Sequence, residues 1–105
     1  TIPWELSLLS NMVHLYLDGN SLMGSLPTEL GKLIFLETLV VANNSLTGTF
    51  PTELGQCSSM QTLLLNKNSF TGTIPIELAR LTALEYFQVV DNELVGTLPT
   101  ELGQL

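Results

Sequence analysis

The chain reads as an α/β solenoid, a coil of short parallel strands joined by equally short helical turns. Three observations predict it: a strict period, a two-residue alternation that recurs once per period, and a turn signature at the opposite phase. Proline stands at 3, 27, 51, 75 and 99 and nowhere else, a spacing of 24 residues each time. Glycine recurs at 24, 48, 72 and 96, asparagine at 20, 44, 68 and 92, and glutamate at 5, 29, 53, 77 and 101. A fixed period of this length marks a repeat architecture, in which one unit cannot bury its apolar face alone and stacking on neighbours makes the core. With 105 residues, the chain holds four full periods and part of a fifth. Residues 1–105 are therefore predicted to be a single array without a linker.

Within a period the strand comes first. Residues 39–42 alternate in the manner of a short strand with one face buried, and 15–18, 63–66 and 87–90 are its counterparts. A strand that recurs in one direction once per period pairs in parallel, so the intervening chain must return along the other side of the coil. Asparagine follows the strand at 20, 44, 68 and 92. A carboxamide carries both donors and acceptors, which suits it to backbone groups where the chain turns inward, and four of them in register form a ladder. Next come Gly24, Gly48, Gly72 and Gly96, where a backbone conformation or close approach excludes a side chain. Proline then holds Leu26, Phe50, Ile74 and Leu98 extended. The run Pro51-Thr52-Glu53-Leu54-Gly55 suits one helical or 3₁₀ turn, with threonine as a cap, glutamate in the first turn and glycine closing it.

Composition removes most other classes. Ten acidic against three basic residues leave a net charge of −7, the opposite of a nucleic-acid footprint. Of 23 leucines, the longest uninterrupted run is Leu63-Leu64-Leu65, so this segment is not expected to contact a membrane. A lone Cys57 and a lone His14 supply no disulfide, CxxC pair or metal set, and no Ser-His-Asp constellation or phosphate loop is present. The expectation is a non-catalytic chain with no cofactor and no metal. Thr1 opens the chain without an initiator Met or a basic-apolar leader, both ends fall in mid-repeat, and no polar cap is recognisable. An uncapped fragment of a longer solenoid is expected.

The slots also resemble a known family. Leu36-x-x-Leu39-x-Val41-x-x-Asn44-x-Leu46 resembles the leucine-rich repeat core. Thr47-Gly48-Thr49-Phe50-Pro51-x-x-Leu54-Gly55 is similar to the plant-type subclass, whose 24-residue unit carries L-x-G-x-[IL]-P-x-x-L-G. Phe70 and Phe87 stand in Leu slots, Cys57 replaces the Leu of 33 and 81, and Ala79 replaces the Gly of 31 and 55. The first unit is looser, with Trp4 in the Thr slot and Ser7 in the Gly slot. The resemblance implies a right-handed leucine-rich repeat coil with the parallel β-sheet on its concave face, a second short strand, and helical or 3₁₀ turns on the return side. It further implies a ligand- or protein-recognition module of a receptor-like protein or receptor-kinase ectodomain, at the extracellular face of the plasma membrane or secreted. A secreted inhibitor or cell-wall adhesion protein, similar to polygalacturonase inhibitors, is the alternative. The implied partner is a peptide, glycan or protein on the concave or lateral surface. A kinase domain elsewhere in a parent chain is compatible with either.

Comparing the coils with one another locates candidate binding residues, because inward slots keep their chemistry and outward ones do not. The outward slots read His14, Tyr16, Asp18 and Gly19, then Thr38, Val40, Ala42 and Asn43. They continue as Thr62, Leu64, Asn66 and Lys67, then Tyr86, Gln88, Val90 and Asp91. Strands about 4.8 Å apart would tile these over roughly 15–20 Å. The glutamate column is read as first-turn electrostatics and solubility rather than a cation site, since one column offers about one carboxylate per coil where Ca²⁺ takes six to eight oxygens. Cys57 sits in an apolar column as a structural thiol. Asn43-Asn44-Ser45 matches the N-glycosylation acceptor pattern, with Asn43 facing outward.

Overall fold

The structure, a computed structural model, describes residues 1–101. Leu102 and Gly103 of the last Pro-Thr-Glu-Leu-Gly run, and with them the end of the predicted array, lie outside the described residues. Among the described residues six strands are formed: β1 (His14–Tyr16), β2 (Met23–Gly24), β3 (Thr38–Val40), β4 (Ser45–Leu46), β5 (Thr62–Leu64) and β6 (Tyr86–Gln88). Among the same residues four complete 3₁₀ turns are interspersed with them: η1 (Trp4–Leu8), η2 (Thr28–Lys32), η3 (Thr52–Gln56) and η4 (Ile76–Arg80).

The main sheet runs β1-β3-β5-β6, every pair parallel and every register offset by one period: His14 faces Thr38, Thr38 faces Thr62, and Thr62 faces Tyr86. Its ladder outlasts the strands. Leu17 N donates to Val40 O at 2.8 Å, Gly19 N to Ala42 O at 3.1 Å and Lys67 N to Val90 O at 3.0 Å. The predicted strand segments thus lie within the ladder, although the regular strands begin one residue earlier. β2 and β4 form the second parallel pair. Its hydrogen bonds also run on, from Thr71 N to Gly48 O at 2.8 Å and from Val95 N to Gly72 O at 2.9 Å. Only the family resemblance, not the alternation pattern, had implied this second ladder.

Between the two ladders and the 3₁₀ turns lies the core. Leu33, Leu36, Leu39, Val41, Leu46 and Leu54 of one period are completely buried, and Cys57, Met60, Leu63, Leu65, Phe70 and Leu78 continue it. The rings of Phe50 and Phe70 meet with centroids 4.8 Å apart at 59°. Such a tilted pair gains about 0.5–1.5 kcal/mol beyond its burial. Phe70 therefore fills its Leu slot by engaging a neighbouring coil.

Two details of the return side differ from expectation. Threonine does not cap the 3₁₀ turns: Pro27, Pro51 and Pro75 occupy the cap position in extended conformation, and no side chain caps any of the three. Thr28 and Thr52 hydroxyls point instead to the carboxylates of Glu29 and Glu53, at 3.4 Å. Nor does glycine close the turn. Gly31 and Gly55 lie inside it and are buried, and a Cβ on Gly55 would stand 3.0 Å from the carbonyl carbon of Glu77. At 31 and 55 the missing side chain leaves room for the backbone of the next coil, which packs directly against the glycine. Gly24, Gly48, Gly72 and Gly96, in contrast, take the left-handed conformation, with φ between 79 and 81°.

Candidate functional site

The concave face is built from the side chains that the main sheet turns away from the core. Parallel register sets them in rows across the coils: His14, Thr38, Thr62 and Tyr86 in one, and Tyr16, Val40, Leu64 and Gln88 in the next. Beyond the strands follow Asp18, Ala42, Asn66 and Val90, then Gly19, Asn43, Lys67 and Asp91. Residues far apart in sequence thereby become neighbours.

The rows do not form an even surface. Thr38 and Val40 were expected to stand open to solvent, yet each keeps only 8% exposure and Ala42 5%. Tyr16 and Tyr86, in contrast, stand 62% and 63% exposed. Val40 stands between the larger Tyr16 and Leu64, and Thr38 between His14 and Thr62, so both are covered without facing the core. His14 closes over Thr38: its Nδ1 lies 3.0 Å from the Thr38 hydroxyl oxygen in a hydrogen bond, and its ring stacks on Tyr16 at 6.2 Å. The result is an apolar patch of Val40 and Ala42 with a half-buried Leu64 beside it, bordered by the exposed Tyr16 in the same row, with the exposed Tyr86 two strands away in the adjoining row. Asn66 Oδ1 is buried next to that patch with no hydrogen-bond partner among the described residues.

At the strand exit all four coils turn through the left-handed region: φ is 67° at Gly19, 57° at Asn43 and Lys67, and 58° at Asp91. Glycine, asparagine and aspartate adopt it readily, so three of the four occupants carried a readable signal; lysine did not. Asn43, Lys67 and Asp91 are exposed there.

The asparagines behind this rim fix its shape. Asn44 Oδ1 accepts from Leu22 N at 3.0 Å, while Nδ2 donates to Leu17 O at 2.9 Å, Val41 O at 3.0 Å and Ala42 O at 3.3 Å. Asn68 repeats the set with Leu46 N, Val41 O, Leu65 O and Asn66 O. Asn92 repeats it with Phe70 N, Leu65 O, Val89 O and Val90 O. Each amide thus clamps its own turn to the preceding coil. Asn20 differs: it is exposed and donates only within its own turn, to Leu17 O and Asp18 O.

Cys57 is fully buried and its Sγ–H donates to Leu30 O at 3.2 Å. Burial pushes its thiol from 9.0 up to about 11. No group of three or more His, Cys, Asp or Glu is placed to hold a metal among the described residues. Glu29, Glu53 and Glu77 are half-buried on the return side, with Glu5 and Glu101 exposed. A shallow groove of about 510 Å³ lies on the return side between two coils, with Thr49, Thr73, Ile76 and Glu77 along it.

One surface feature escaped the sequence reading. Ile34 and Phe35 stand 50% and 53% exposed at the entry to β3. The same slots hold Ser10-Asn11, Ser58-Ser59 and Thr82-Ala83 in the other coils. Comparing these slots, rather than only the strand slots, would have found the apolar pair.

The chain resembles known proteins in this geometry. A family model for the leucine-rich repeat matches residues 11–33, 35–57 and 59–81. No curated protein matches the chain. Among solved structures it is similar to the leucine-rich repeat ectodomain of the plant membrane receptor kinase GASSHO1/SCHENGEN3 from Arabidopsis thaliana, in complex with CASPARIAN STRIP INTEGRITY FACTOR 2, at 38% identity and a TM-score of 0.96. That match covers 98% of this chain and 12% of the ectodomain. The plant peptide hormone receptor RGFR1 in complex with RGF2 is similar at 34% identity and a TM-score of 0.96, over 98% of this chain and 16% of that one. A plant ice-binding protein is similar at 30% identity and a TM-score of 0.93, over 98% of this chain and 34% of that one.

Proposed function

Because the chain belongs to the leucine-rich repeat family, we propose that it is a non-catalytic recognition module. In this reading it forms part of an extracellular receptor array that binds a peptide or protein partner along the concave face. The observation that carries the reading is the contrast between the inward and outward rows of the sheet. Inward slots repeat one chemistry, whereas the outward rows place two exposed tyrosines, Tyr16 and Tyr86, on the outer strands of a sheet whose inner strands carry the buried Val40 and the half-buried Leu64. Large aromatic side chains held beside a desolvated patch are the usual anchors of specific interfaces. Tyr16, Leu64 and Tyr86 would receive apolar side chains of the ligand. His14, Asp18, Thr38, Val40, Asn66, Lys67, Gln88 and Asp91 would frame them. The similarity to a receptor named for its peptide hormone favours a peptide over a glycan, and the similarity to a receptor-kinase ectodomain supports an extracellular location. Among the described residues no helix is long and apolar enough to cross a membrane.

A library of extended synthetic peptides, screened against the full-length protein, tests this. Tyr16→Ala and Leu64→Asp should abolish capture of any peptide that binds, while Ser58→Ala on the strand-entry edge should leave it unchanged. A ligand indifferent to every concave substitution would remove the concave face from the function.

Ice binding is a second reading, favoured by a different surface. Thr47, Thr49, Thr71 and Thr73 are exposed in two columns on the second ladder, whose coils repeat about every 4.8 Å. A regular hydroxyl-and-methyl lattice suits a crystalline ligand. Thermal hysteresis that vanishes in Thr49→Lys and Thr73→Lys would support it, and freezing without hysteresis would discard it.

A further inference from the structure

We propose that Asn43 carries an N-linked oligosaccharide that stands over the strand-exit rim of the concave face. This rests on the extracellular reading above. Of seven asparagines only Asn43 is followed by the hydroxyl residue the acceptor pattern needs. The fold separates it from its neighbour: Asn44 is tied into the amide ladder by four hydrogen bonds. The Asn43 carboxamide, by contrast, has no hydrogen-bond partner among the described residues and is exposed. Ser45 is exposed as well.

Equivalent coils show that the slot tolerates a large substituent. Gly19, Lys67 and Asp91 occupy it in the same left-handed conformation, and the long Lys67 side chain stands exposed there. No packing depends on what the position holds. The transfer takes its sugar from a polyprenyl-pyrophosphate-linked oligosaccharide. The Nδ2 of Asn43 forms a bond to C1 of the first sugar as the bond from C1 to the pyrophosphate oxygen breaks. The pyrophosphate leaves with that electron pair and Nδ2 loses one proton. In the folded chain the sugar stands between the coils of Gly19 and Lys67, which pair on either side of Asn43. It leaves the Tyr16–Val40–Leu64–Gln88 row open, about 10 Å back along the strand.

Two preparations separate this inference from the reading beneath it: the native full-length protein, and the same protein directed through the secretory route of a eukaryotic host. In the second, intact mass should show one oligosaccharide that a peptide N-glycosidase removes, leaving aspartate at 43. Asn43→Gln and Ser45→Ala should both lose it, and Ser45→Thr should keep it. Lys67→Asn added to Ser45→Ala creates the same motif one coil on and should restore a single sugar. Acylation of Lys67 by an amine-reactive ester should be several-fold slower before the sugar is removed than after, with Lys32 unchanged. An unmodified Asn43 in the secreted protein overturns the site, and equal Lys67 rates overturn the shielding. A sugar in the host preparation but none on the native protein overturns the extracellular reading and, with it, occupancy of the native site.

Discussion

At the scale of single residues, donors decide more than size. Replacing Asn44 by aspartate keeps the shape but turns the group that donates to Leu17, Val41 and Ala42 into an acceptor facing three carbonyls. Losing donors in a partly buried site and aiming a carboxylate at them costs about 2–3 kcal/mol. Asn20→Asp should cost well under 1 kcal/mol, since that side chain is exposed and bonds only its own turn. Urea-denaturation midpoints of the two variants check the difference. Cys57 gives a pH dependence of known sign. Its folded pKa, about 11, lies above the unfolded value of 9.0. The folded state therefore keeps a proton that the unfolded chain has lost between those pH values. Its contribution is complete below pH 9 and is lost as pH rises through about 11. Cys57→Ala should flatten stability measured from pH 9 to 11, and a thiol reagent at neutral pH should reach Cys57 only on unfolding. The slot comparison made the buried thiol readable, because an apolar column surrounds position 57.

Among elements, the 3₁₀ turns and the strands are held by different constraints. The turns stack through glycine: a Cβ on Gly55 would press on the Glu77 backbone. Gly55→Ala should destabilise by about 1–3 kcal/mol, as overpacking does. Thermal unfolding of that variant tests whether contact rather than turn geometry requires glycine. The period exposed this glycine in the sequence but not its role, since a residue that ends a helix and one that admits a neighbour look alike in one dimension. Strand direction and spacing were legible for the opposite reason: alternation and period are local patterns that impose parallel pairing wherever they recur. Exposure within the strands was not legible. Thr38 and Val40 share slots with His14 and Tyr16, yet they are closed off by neighbours from other coils. No pattern within one coil encodes the size of its neighbours' side chains.

For the whole molecule, each coil depends on the next. Parallel ladders run between coils, and each asparagine clamp adds hydrogen bonds to the preceding coil to those within its own. Loss of one inner coil should therefore weaken the others, as expected for a one-dimensional array of coupled units. Leu39→Ala and Leu63→Ala, both at fully buried sites, should each cost about 2–5 kcal/mol. Native-state hydrogen exchange should show the highest protection at Val41 and Leu65, whose amides bond the following coil. Faster exchange there than at Met12, in the first coil, would argue against coupling.

Period, strand direction, core columns and family were written in the order of the residues, because stacking identical units needs only that each repeat carry the same apolar and turn-forming positions. The covered apolar patch, the left-handed rim at Lys67 and the placement of Asn43 beside an open row arose in three dimensions. They depend on which side chains the register sets next to one another, a relation between residues one period apart that no single repeat contains.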